Sequence, residues 1–324
     1  MSQTHRGEPL LLGVDGGGTS TVVLLADARG QVVGRGLGGA SNPKAIGFEA
    51  AFGALEAAIS GAFSDAGRPR STVEAACLGL AGFAQAEDQA RLDEWSGGWG
   101  LTRKLLPVSD GELVLAAGTP EGWGAAVIAG TGSIAVGGDR EGRTARSGGW
   151  GPLFGDEGSA YHVVLAGLRR SARRFDGREP RPKPSDPLTD RFLEALGVAE
   201  PPRLISAIHA PTMDRTRIAA LASVVLDAAA EDPSIVAELL EPAGVDLGAS
   251  VEAVARSLGW SGGVLPLALA GGFLLRSVDV RRSLLEYLRD RGYDPRPSPV
   301  PDPVDGALIL ARREFEAEAG GVWI

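Results

Sequence analysis

The sequence predicts an α/β protein built from two similar halves. Three observations support this: short apolar strands that end in glycine turns, a strand–turn pattern that occurs twice, and helical periodicity over most of the remaining chain. The chain has 324 residues, of which 44% are hydrophobic and 23% charged, as in a globular protein of two domains. We expect domains at 1–114 and 115–324 with a cleft between them, and a last helix at about 302–318 that packs back on the first domain.

The first half opens with three short strands, of which the first ends in Asp15-Gly16-Gly17-Gly18. Apolar and β-branched runs predict further strands, and alanine and leucine at helical spacing predict helices. The predicted strands are 10–14, 19–26, 31–36, 74–80 and 104–109, and the predicted helices are 48–63 and 87–94.

The opening pattern then returns. A shift of 112 residues places Gly18 on Gly130, Thr19 on Thr131, Asp27 on Asp139, Gly30 on Gly142 and Gly36 on Gly148. These identities all fall at turn positions, so an internal duplication is favoured. The second half is predicted to contain strands at 125–129, 134–137, 143–146 and 264–270, and helices at 157–173, 188–196, 202–208, 215–230, 233–258, 279–289 and 302–318.

Composition excludes several classes of protein. The formal charge of −9 argues against nucleic acid or an anionic membrane as the main partner, although a local site can still bind a nucleotide. The single cysteine, Cys77, rules out a disulfide framework or a cysteine cluster and is expected in the core. No signal peptide or membrane span is recognisable, so we expect a cytoplasmic protein.

Two glycine turns are candidate phosphate sites. In the first, Gly17 and Gly18 allow close approach of backbone N–H groups to a phosphate, Thr19 adds a hydroxyl, and Asp15 is placed to hold Mg²⁺. A simple hairpin turn is the alternative interpretation. The second turn, Gly130-Thr131-Gly132-Ser133, would contact phosphates from the other side of the cleft.

Two common nucleotide motifs are not supported. The chain has no Walker lysine signature. The glycines at 130 and 132 fit a loose dinucleotide pattern, which requires a helix to begin there, but residues 134–138 resemble a strand and a turn.

Acidic residues follow two further predicted strands. Asp110 follows the strand at 104–109 and could accept a proton from a sugar hydroxyl, although its motif alone favours a helix N-cap. The segment 147–160 combines glycines with Trp150, Asp156 and Glu157, which suits a sugar because C–H faces stack on aromatic rings and hydroxyls donate to acids. First-turn helix acids are the alternative interpretation. Gly271 and Gly272 end a strand where adenine could lie against the backbone.

With these motifs in this order, the chain resembles the N-acetylglucosamine kinase family over about residues 11–311. The resemblance is strongest from 127 to 161, where Gly148-Gly149-Trp150-Gly-Pro-Leu-Phe-Gly-Asp156-Glu157 is close to that family's signature. The family belongs to the actin-like sugar kinase superfamily, which also holds ATPase activators of benzoyl-CoA reductase and 2-hydroxyacyl-CoA dehydratase. The resemblance therefore implies a duplicated, actin-like (ribonuclease H-like) two-domain fold.

The resemblance also implies roles for particular residues. Asp110 would be the catalytic base, and Mg²⁺ would lie near Asp15. The implied nucleotide residues are Gly17, Gly18, Thr19, Thr131, Gly132, Ala219, Gly271 and Gly272. The implied sugar residues are Asn42, Asp110, Gly149, Trp150 and Asp156.

The implied reaction is transfer of the ATP γ-phosphoryl group to the 6-hydroxyl of N-acetylglucosamine. Pro43 and Lys44 after Asn42 depart from the animal kinases, so a kinase for glucosamine or a broad hexokinase stays open. An activator-type ATPase is disfavoured because a bridging cluster needs cysteines. A sugar-sensing repressor is disfavoured because neither a helix-turn-helix nor the repressor zinc motif is found. We expect a small sugar and ATP as partners, no nucleic acid or membrane, and leave a homodimer open.

Overall fold

The chain forms two compact units. A computed structural model describes residues 8–83, 86–119, 122–180 and 186–320, with the side chains of 318–320 left aside. The first unit lies within Met1–Glu121 and Asp302–Ile324, and the second within Gly122–Pro301. The boundary that we expected between residues 114 and 115 falls inside a helix, Asp110–Gly118. The polar, proline-rich sequence at 176–187 predicts an exposed loop, and its residues 181–185 lie outside the described part of the chain.

Each unit contains one five-stranded mixed sheet. The strands are β1 (Leu10–Gly16), β2 (Thr21–Asp27), β3 (Val32–Gly38), β4 (Val73–Leu80), β5 (Thr102–Val108), β6 (Gly124–Ala129), β7 (Ser133–Gly138), β8 (Thr144–Gly148), β9 (Gly263–Ala270) and β10 (Tyr293–Pro299). The first sheet has the order β3-β2-β1-β4-β5 and the second β8-β7-β6-β9-β10. In the first sheet, the pairs β3–β2 and β2–β1 are antiparallel, and the pairs β1–β4 and β4–β5 are parallel. In the second sheet, the pairs β8–β7 and β7–β6 are antiparallel, and the pairs β6–β9 and β9–β10 are parallel.

Helices cover the sheets. They are α1 (Pro43–Ile46), α2 (Phe48–Asp65), α3 (Ala86–Trp99), α4 (Asp110–Gly118), α5 (Ala160–Phe175), α6 (Pro187–Leu196), α7 (Arg203–Ile208), α8 (Arg215–Ala220), α9 (Ala222–Ala229), α10 (Pro233–Ile235), α11 (Glu241–Ser257), α12 (Gly272–Arg276), α13 (Val278–Arg289) and α14 (Val304–Gly320), with a π-helical turn at Val236–Leu240. Among the described residues, no helix has the length and apolar character to cross a membrane.

The structure confirms the duplication in detail. Thr21 and Ser133 begin β2 and β7, at the same shift of 112 residues. Asp27 Oδ1 accepts hydrogen bonds from the backbone N–H groups of Arg29 and Gln31, both at 2.9 Å. Asp139 Oδ1 accepts the two equivalent bonds, from Glu141 at 3.1 Å and Arg143 at 2.8 Å. The two halves therefore repeat side-chain contacts as well as strand order.

The matching turns Asp27–Gly30 and Asp139–Gly142 need a glycine at their last position. Gly30 and Gly142 have φ values of 82° and 81°, in the left-handed region that side chains disfavour. By contrast, the turn from β6 to β7 is one residue shorter than the turn from β1 to β2, because β6 ends at Ala129 and β1 at Gly16. The two glycine turns are thus related but not superimposable residue by residue.

The first sheet is covered on both faces. Leu12 and Val14 of β1 pack with residues of α2 on one face, whereas Leu11 packs with Val304 and Leu308 of α14 on the other. The alternation follows from the two-residue period of a strand. Cys77 is buried with Leu113 of α4 and with α14, as expected for a core residue, and burial raises the pKa of its thiol to about 12. The last helix belongs to the first unit.

The structure departs from the predicted elements in the second unit. The strand Tyr293–Pro299 was missed, because it contains three prolines. It lies at the sheet edge, where a missing N–H is tolerated. The helix expected at 215–230 is divided at Leu221. The helix expected at 233–258 contains the π-helical turn, which ends at Leu240, two residues before Pro242. Pro242 has no N–H to continue the α-helical pattern.

A buried ion-pair network holds the helices of the second unit together. The Arg170 side chain on α5 is 1% exposed and contacts Asp186 at 3.1 Å, Asp232 at 3.2 Å and Glu238 at 2.6 Å. These carboxylates precede α6, precede α10 and lie in the π-helical turn. One guanidinium therefore joins α5 to three segments that are distant in the sequence.

Removal of this cation should destabilise the second unit. Arg170→Met leaves the buried Asp186 with the Thr189 hydroxyl, at 2.8 Å, and one longer ion pair to Arg174, at 3.4 Å. Its charge is then poorly compensated, so we expect a loss of about 3 kcal/mol in the free energy of unfolding. Urea denaturation measures the change. The matched control is Arg169→Met, at an exposed position of the same helix, which should change stability by less than about 0.5 kcal/mol. Equal unfolding curves for the two variants would contradict this role for Arg170.

Candidate active site

Functional residues of the first unit meet at the carboxyl ends of its strands. Asp15 of β1 is in register with Gly79 of β4, which is in register with Val108 of β5. These strands are parallel, so Asp15 and Asp110, two residues beyond Val108, lie on the same edge of the sheet. The segment that follows β3 carries Asn42 to this edge as well, because β3 runs parallel to β1. Three of the predicted site residues are thus brought to one edge.

Asp15 is a half-buried carboxylate in a negative environment. Burial, and then the negative charges of Asp110 and Asp302, raise the pKa of Asp15 from 3.8 to about 6. Asp302 also lies 3.7 Å from Arg35, which is partly exposed. A cation near Asp15 would relieve the repulsion among these carboxylates.

Asp110 is the first residue of α4 but does not cap it. Ser109 is the N-cap: its Oγ accepts from the backbone N–H of Glu112 at 3.3 Å, and Glu112 Oε2 accepts from the backbone N–H of Ser109 at 2.8 Å. The alternative interpretation of Asp110 as a cap is therefore wrong. Asp110 is accessible to solvent, yet loss of hydration raises its pKa, against the opposing effect of the Gly111 N–H, which donates to Oδ1 at 2.9 Å.

The first glycine turn is exposed at its tip. The Gly17 N–H donates to the Ser20 carbonyl at 3.0 Å, and the Gly17 carbonyl accepts from the Ser41 N–H at 3.0 Å. Gly18 and Thr19 are exposed between these anchors. The turn is held at its base and presents its tip, as a phosphate-binding turn requires.

Asn42 lies beside this turn but already has a local role. Its Oδ1 accepts from the Lys44 backbone N–H at 3.0 Å and caps α1. The Lys44 Nζ forms an ion pair with the buried Asp88 at 2.9 Å. Lys44 thus contacts both Asn42 and α3, and these contacts hold the segment that contains Asn42.

In the second unit, Ser133 joins the glycine turn to the glycine-rich segment. The Ser133 carbonyl accepts from the Gly149 N–H at 3.1 Å, and its Oγ donates to the Glu157 carbonyl at 2.6 Å. The Ser133 N–H donates to Asp156 Oδ1 at 3.1 Å. These bonds therefore bring together residues that the sequence placed in two separate motifs, namely Thr131, Gly132, Gly149 and Asp156.

The predicted sugar residues of this segment differ in exposure. Trp150 is 65% exposed, and Leu153 and Phe154 beside it are 87% and 78% exposed. Asp156 is 4% exposed, and its Oδ2 forms an ion pair with Arg215. The indole is exposed, with the Arg146 guanidinium 5.7 Å from its ring centroid, whereas both carboxylate oxygens of Asp156 have partners within the unit.

The residues predicted to lie near adenosine are partly structural. Ala219 is 5% exposed in the core of the second unit. Gly271 has φ 92°, and a Cβ at this position would overlap the backbone of Ala129. Gly271 is thus required for β9 and β6 to end side by side, and Gly272 begins α12 at an exposed position.

Two residues at these sites were missed in the sequence. The negative charge of Asp302 raises the pKa of Asp15, and Arg215 forms an ion pair with Asp156. In each case the two residues are distant in the sequence. Neither belongs to a glycine motif, so no local signal identified them. Within the described residues, no group of three or more histidine, cysteine, aspartate or glutamate side chains could hold a metal ion. Mg²⁺ needs fewer protein ligands, because it keeps several waters and shares substrate phosphates.

The repeated sheets with glycine turns after their first strands define the class of this protein: it is an actin-like, two-domain α/β protein of the sugar kinase type, as the sequence predicted. A model of the BadF/BadG/BcrA/BcrD ATPase family matches residues 12–311, and the chain belongs to that family. Family membership supports the use of ATP.

Individual relatives agree over most of the chain. An N-acetylmuramic acid/N-acetylglucosamine kinase of Clostridium acetobutylicum is 29% identical over 94% of this chain and 99% of its own length. An N-acetyl-D-glucosamine kinase of Dictyostelium discoideum is 33% identical over 62% of this chain and 65% of its own. The crystal structure of a Chromobacterium violaceum protein assigned as an N-acetylglucosamine kinase has a TM-score of 0.73 and 29% identity, covering 94% of this chain and 99% of that one.

The raised pKa of Asp15 predicts how the free energy of unfolding depends on pH. The pKa of the Asp15 carboxyl is raised from 3.8 to about 6 in the folded protein, so the contribution of this group to the free energy of unfolding falls as pH rises through this window. Asp15→Asn removes the charge. We expect it to raise the free energy of unfolding by about 1–2 kcal/mol at pH 8, and the gain to disappear towards pH 4.

Denaturant unfolding at several pH values tests this. Asp93→Asn, at an exposed position on α3, is the matched control and should show no such pH dependence. An Asp15→Asn protein that is no more stable than the control at pH 8 would refute the unfavourable charge at Asp15.

Proposed function

We propose that this protein is an ATP-dependent kinase that phosphorylates the 6-hydroxyl of N-acetylglucosamine. One observation carries the chemistry: Asp110, at the carboxyl edge of the first sheet, is not used as a helix cap, and its pKa is raised. A carboxylate whose pKa moves towards neutrality is a better general base at physiological pH. The relatives support the substrate, since all three are described as kinases of this sugar.

In the proposed reaction, Asp110 takes the proton of the sugar 6-hydroxyl. The oxygen then bonds to the γ-phosphorus of ATP, the bond from this phosphorus to the β–γ bridging oxygen breaks, and ADP leaves. Phosphoryl transfer of this kind depends mainly on positioning and on electrostatic stabilisation. The base must therefore be held in place, and the capping box of Ser109 and Glu112 fixes the first turn of α4 on which Asp110 lies.

The carboxylates near Asp15 suit Mg²⁺. Asp15 would hold the ion, because burial and the negative charges of Asp110 and Asp302 raise its pKa, and a bound cation would offset these effects. Bound with ATP, Mg²⁺ neutralises phosphate charge that develops during transfer. This assignment needs only one or two carboxylates, which agrees with the small number of acidic side chains at this edge.

The glycine turns are proposed to contact the phosphates. In the first unit these contacts are assigned to Gly17, Gly18 and Thr19, whose turn is exposed at the tip. In the second unit they are assigned to Thr131 and Gly132. Ala219, Gly271 and Gly272 are proposed to lie near adenosine; because the Ala219 side chain is buried, we assign its contact to the backbone.

The sugar is assigned to Asn42, Asp110, Gly149, Trp150 and Asp156. The exposed Trp150 provides an apolar face for the sugar ring. Asn42 keeps its amide NH₂ group as a donor while its Oδ1 caps α1. We propose a cytoplasmic enzyme with these two small substrates and no nucleic-acid partner.

The substrate is tested by ADP release with Mg-ATP in the presence of N-acetylglucosamine, N-acetylmuramic acid, glucosamine or glucose. We expect rapid release with N-acetylglucosamine and little with glucosamine or glucose. A preference for glucosamine or glucose would overturn the proposed substrate but keep the mechanism. Release of ADP that ignores every sugar would overturn the kinase assignment in favour of an activator-type ATPase.

The role of Asp110 is tested by Asp110→Asn. The amide cannot accept the proton, so turnover should fall by on the order of 10²-fold or more while sugar binding, measured by calorimetry, is largely kept. The control Asp93→Asn should retain turnover, because Asp93 is exposed on α3 and has no proposed role. Near-normal turnover of Asp110→Asn would exclude Asp110 as the base.

A further inference from the structure

The most unusual side-chain arrangement in the second unit lies beside its glycine turn. Arg215, the first residue of α8, forms an ion pair with Asp156, which also accepts the Ser133 N–H at 3.1 Å. A Cβ at Gly132 would overlap both Nη2 of Arg215 and Oδ1 of Asp156. The guanidinium is therefore packed directly against the turn, and only a glycine at 132 allows this contact.

The backbone of Asp156 has a left-handed conformation, which is uncommon for residues other than glycine. Among the described residues other than glycine, Asp156 alone has a positive φ, 64°. Backbone strain of this kind persists only where surrounding contacts compensate for it, and it is concentrated at functional sites. Here the compensation comes from the bonds that Asp156 makes to Ser133 and Arg215.

The hydrogen-bonding capacity of Arg215 is incompletely used. Its Nε is buried and has no hydrogen-bond partner among the described residues, although 39% of the side chain is exposed. A buried N–H group without an acceptor costs free energy. The buried Nε is out of reach of a ligand, but the exposed part of the guanidinium lies beside the Gly132 turn, where it is available to donate to a bound anion.

We propose that Arg215 binds the phosphates of ATP beyond the α-phosphate and that Asp156 is the residue that positions it. This rests on the proposed use of ATP and adds a charged phosphate ligand to a turn that otherwise offers backbone N–H groups and the Thr131 hydroxyl. Arginine is suited to this role because its planar guanidinium donates several hydrogen bonds to phosphate oxygens.

The proposal gives Asp156 a second role beside the sugar contact. A carboxylate that holds an arginine against a phosphate site keeps the guanidinium in one orientation, so less side-chain entropy is lost when the nucleotide binds. Ser133 reinforces this geometry, because the same Asp156 carboxylate accepts its N–H and its Oγ donates to Glu157.

The test measures nucleotide binding by calorimetry without sugar. Arg215→Met should weaken ATP and ADP about 10- to 100-fold, the loss expected for charge-assisted hydrogen bonds, and leave AMP nearly unchanged. The matched control is Arg217→Met, which removes the same charge two residues away, at an exposed arginine whose Nη1 donates to the Thr212 carbonyl at 2.7 Å. This control should bind all three nucleotides as the wild type does.

Asp156→Asn supplies a second measurement. Asparagine tolerates a left-handed conformation, so the variant should fold, yet it loses the charge that orients Arg215. We expect weaker binding of ATP and ADP, with AMP unchanged. Unaltered ATP binding in this variant would limit Asp156 to the sugar.

The outcomes separate the two proposals. If the wild type does not bind ATP, the proposed function itself fails. If the wild type binds ATP, and both Arg215→Met and Arg217→Met bind ATP and ADP as tightly as the wild type, the proposed function stands. The role of Arg215 is then overturned. An equal loss for AMP, ADP and ATP in Arg215→Met would also overturn it, because that pattern indicates structural damage.

Discussion

The parallel register of β1, β4 and β5 is the constraint on which the chemistry of the first unit depends. It aligns Asp15 with Gly79 and Gly79 with Val108. Asp15 and Asp110, which lies two residues beyond Val108, are therefore at the same edge of the sheet. Because the carboxyl ends of parallel strands meet there, side chains separated by nearly a hundred positions in the sequence become neighbours. The capping box at Ser109 then fixes the direction in which α4 leaves this edge.

This convergence has an electrostatic cost. Burial is the largest cause of the raised pKa of Asp15, and the negative charges of Asp110 and Asp302 add to it. Arg35 compensates Asp302 only in part, since both side chains are about half exposed. A folded protein that keeps such repulsion is less stable than it could be, and perturbed carboxylates of this kind are typical of functional sites. The same charges would favour the Mg²⁺ proposed to bind with ATP.

The second unit has the same strand order as the first but a different charge beside its glycine turn. Its first turn lacks an acidic residue equivalent to Asp15, since the register of the strands puts Ile128 at the corresponding position of β6. A positive group, Arg215, lies against the turn instead, held by Asp156. The duplicated halves have thus diverged in charge while keeping their backbone hydrogen bonds, as the matching bonds of Asp27 and Asp139 demonstrate.

The sequence by itself determined the duplication, the strands β1 to β9, most helices and the glycine motifs, because apolar periodicity and turn residues are local properties of the chain. It missed β10, whose prolines are acceptable only at the edge of a sheet. It could not separate Asp110 as a base from Asp110 as a cap, which depended on the conformation of Ser109. Tertiary structure alone decided the contacts of Arg215 with Asp156 and of Asp302 with Asp15, because these join distant segments and leave no periodic signal in the chain.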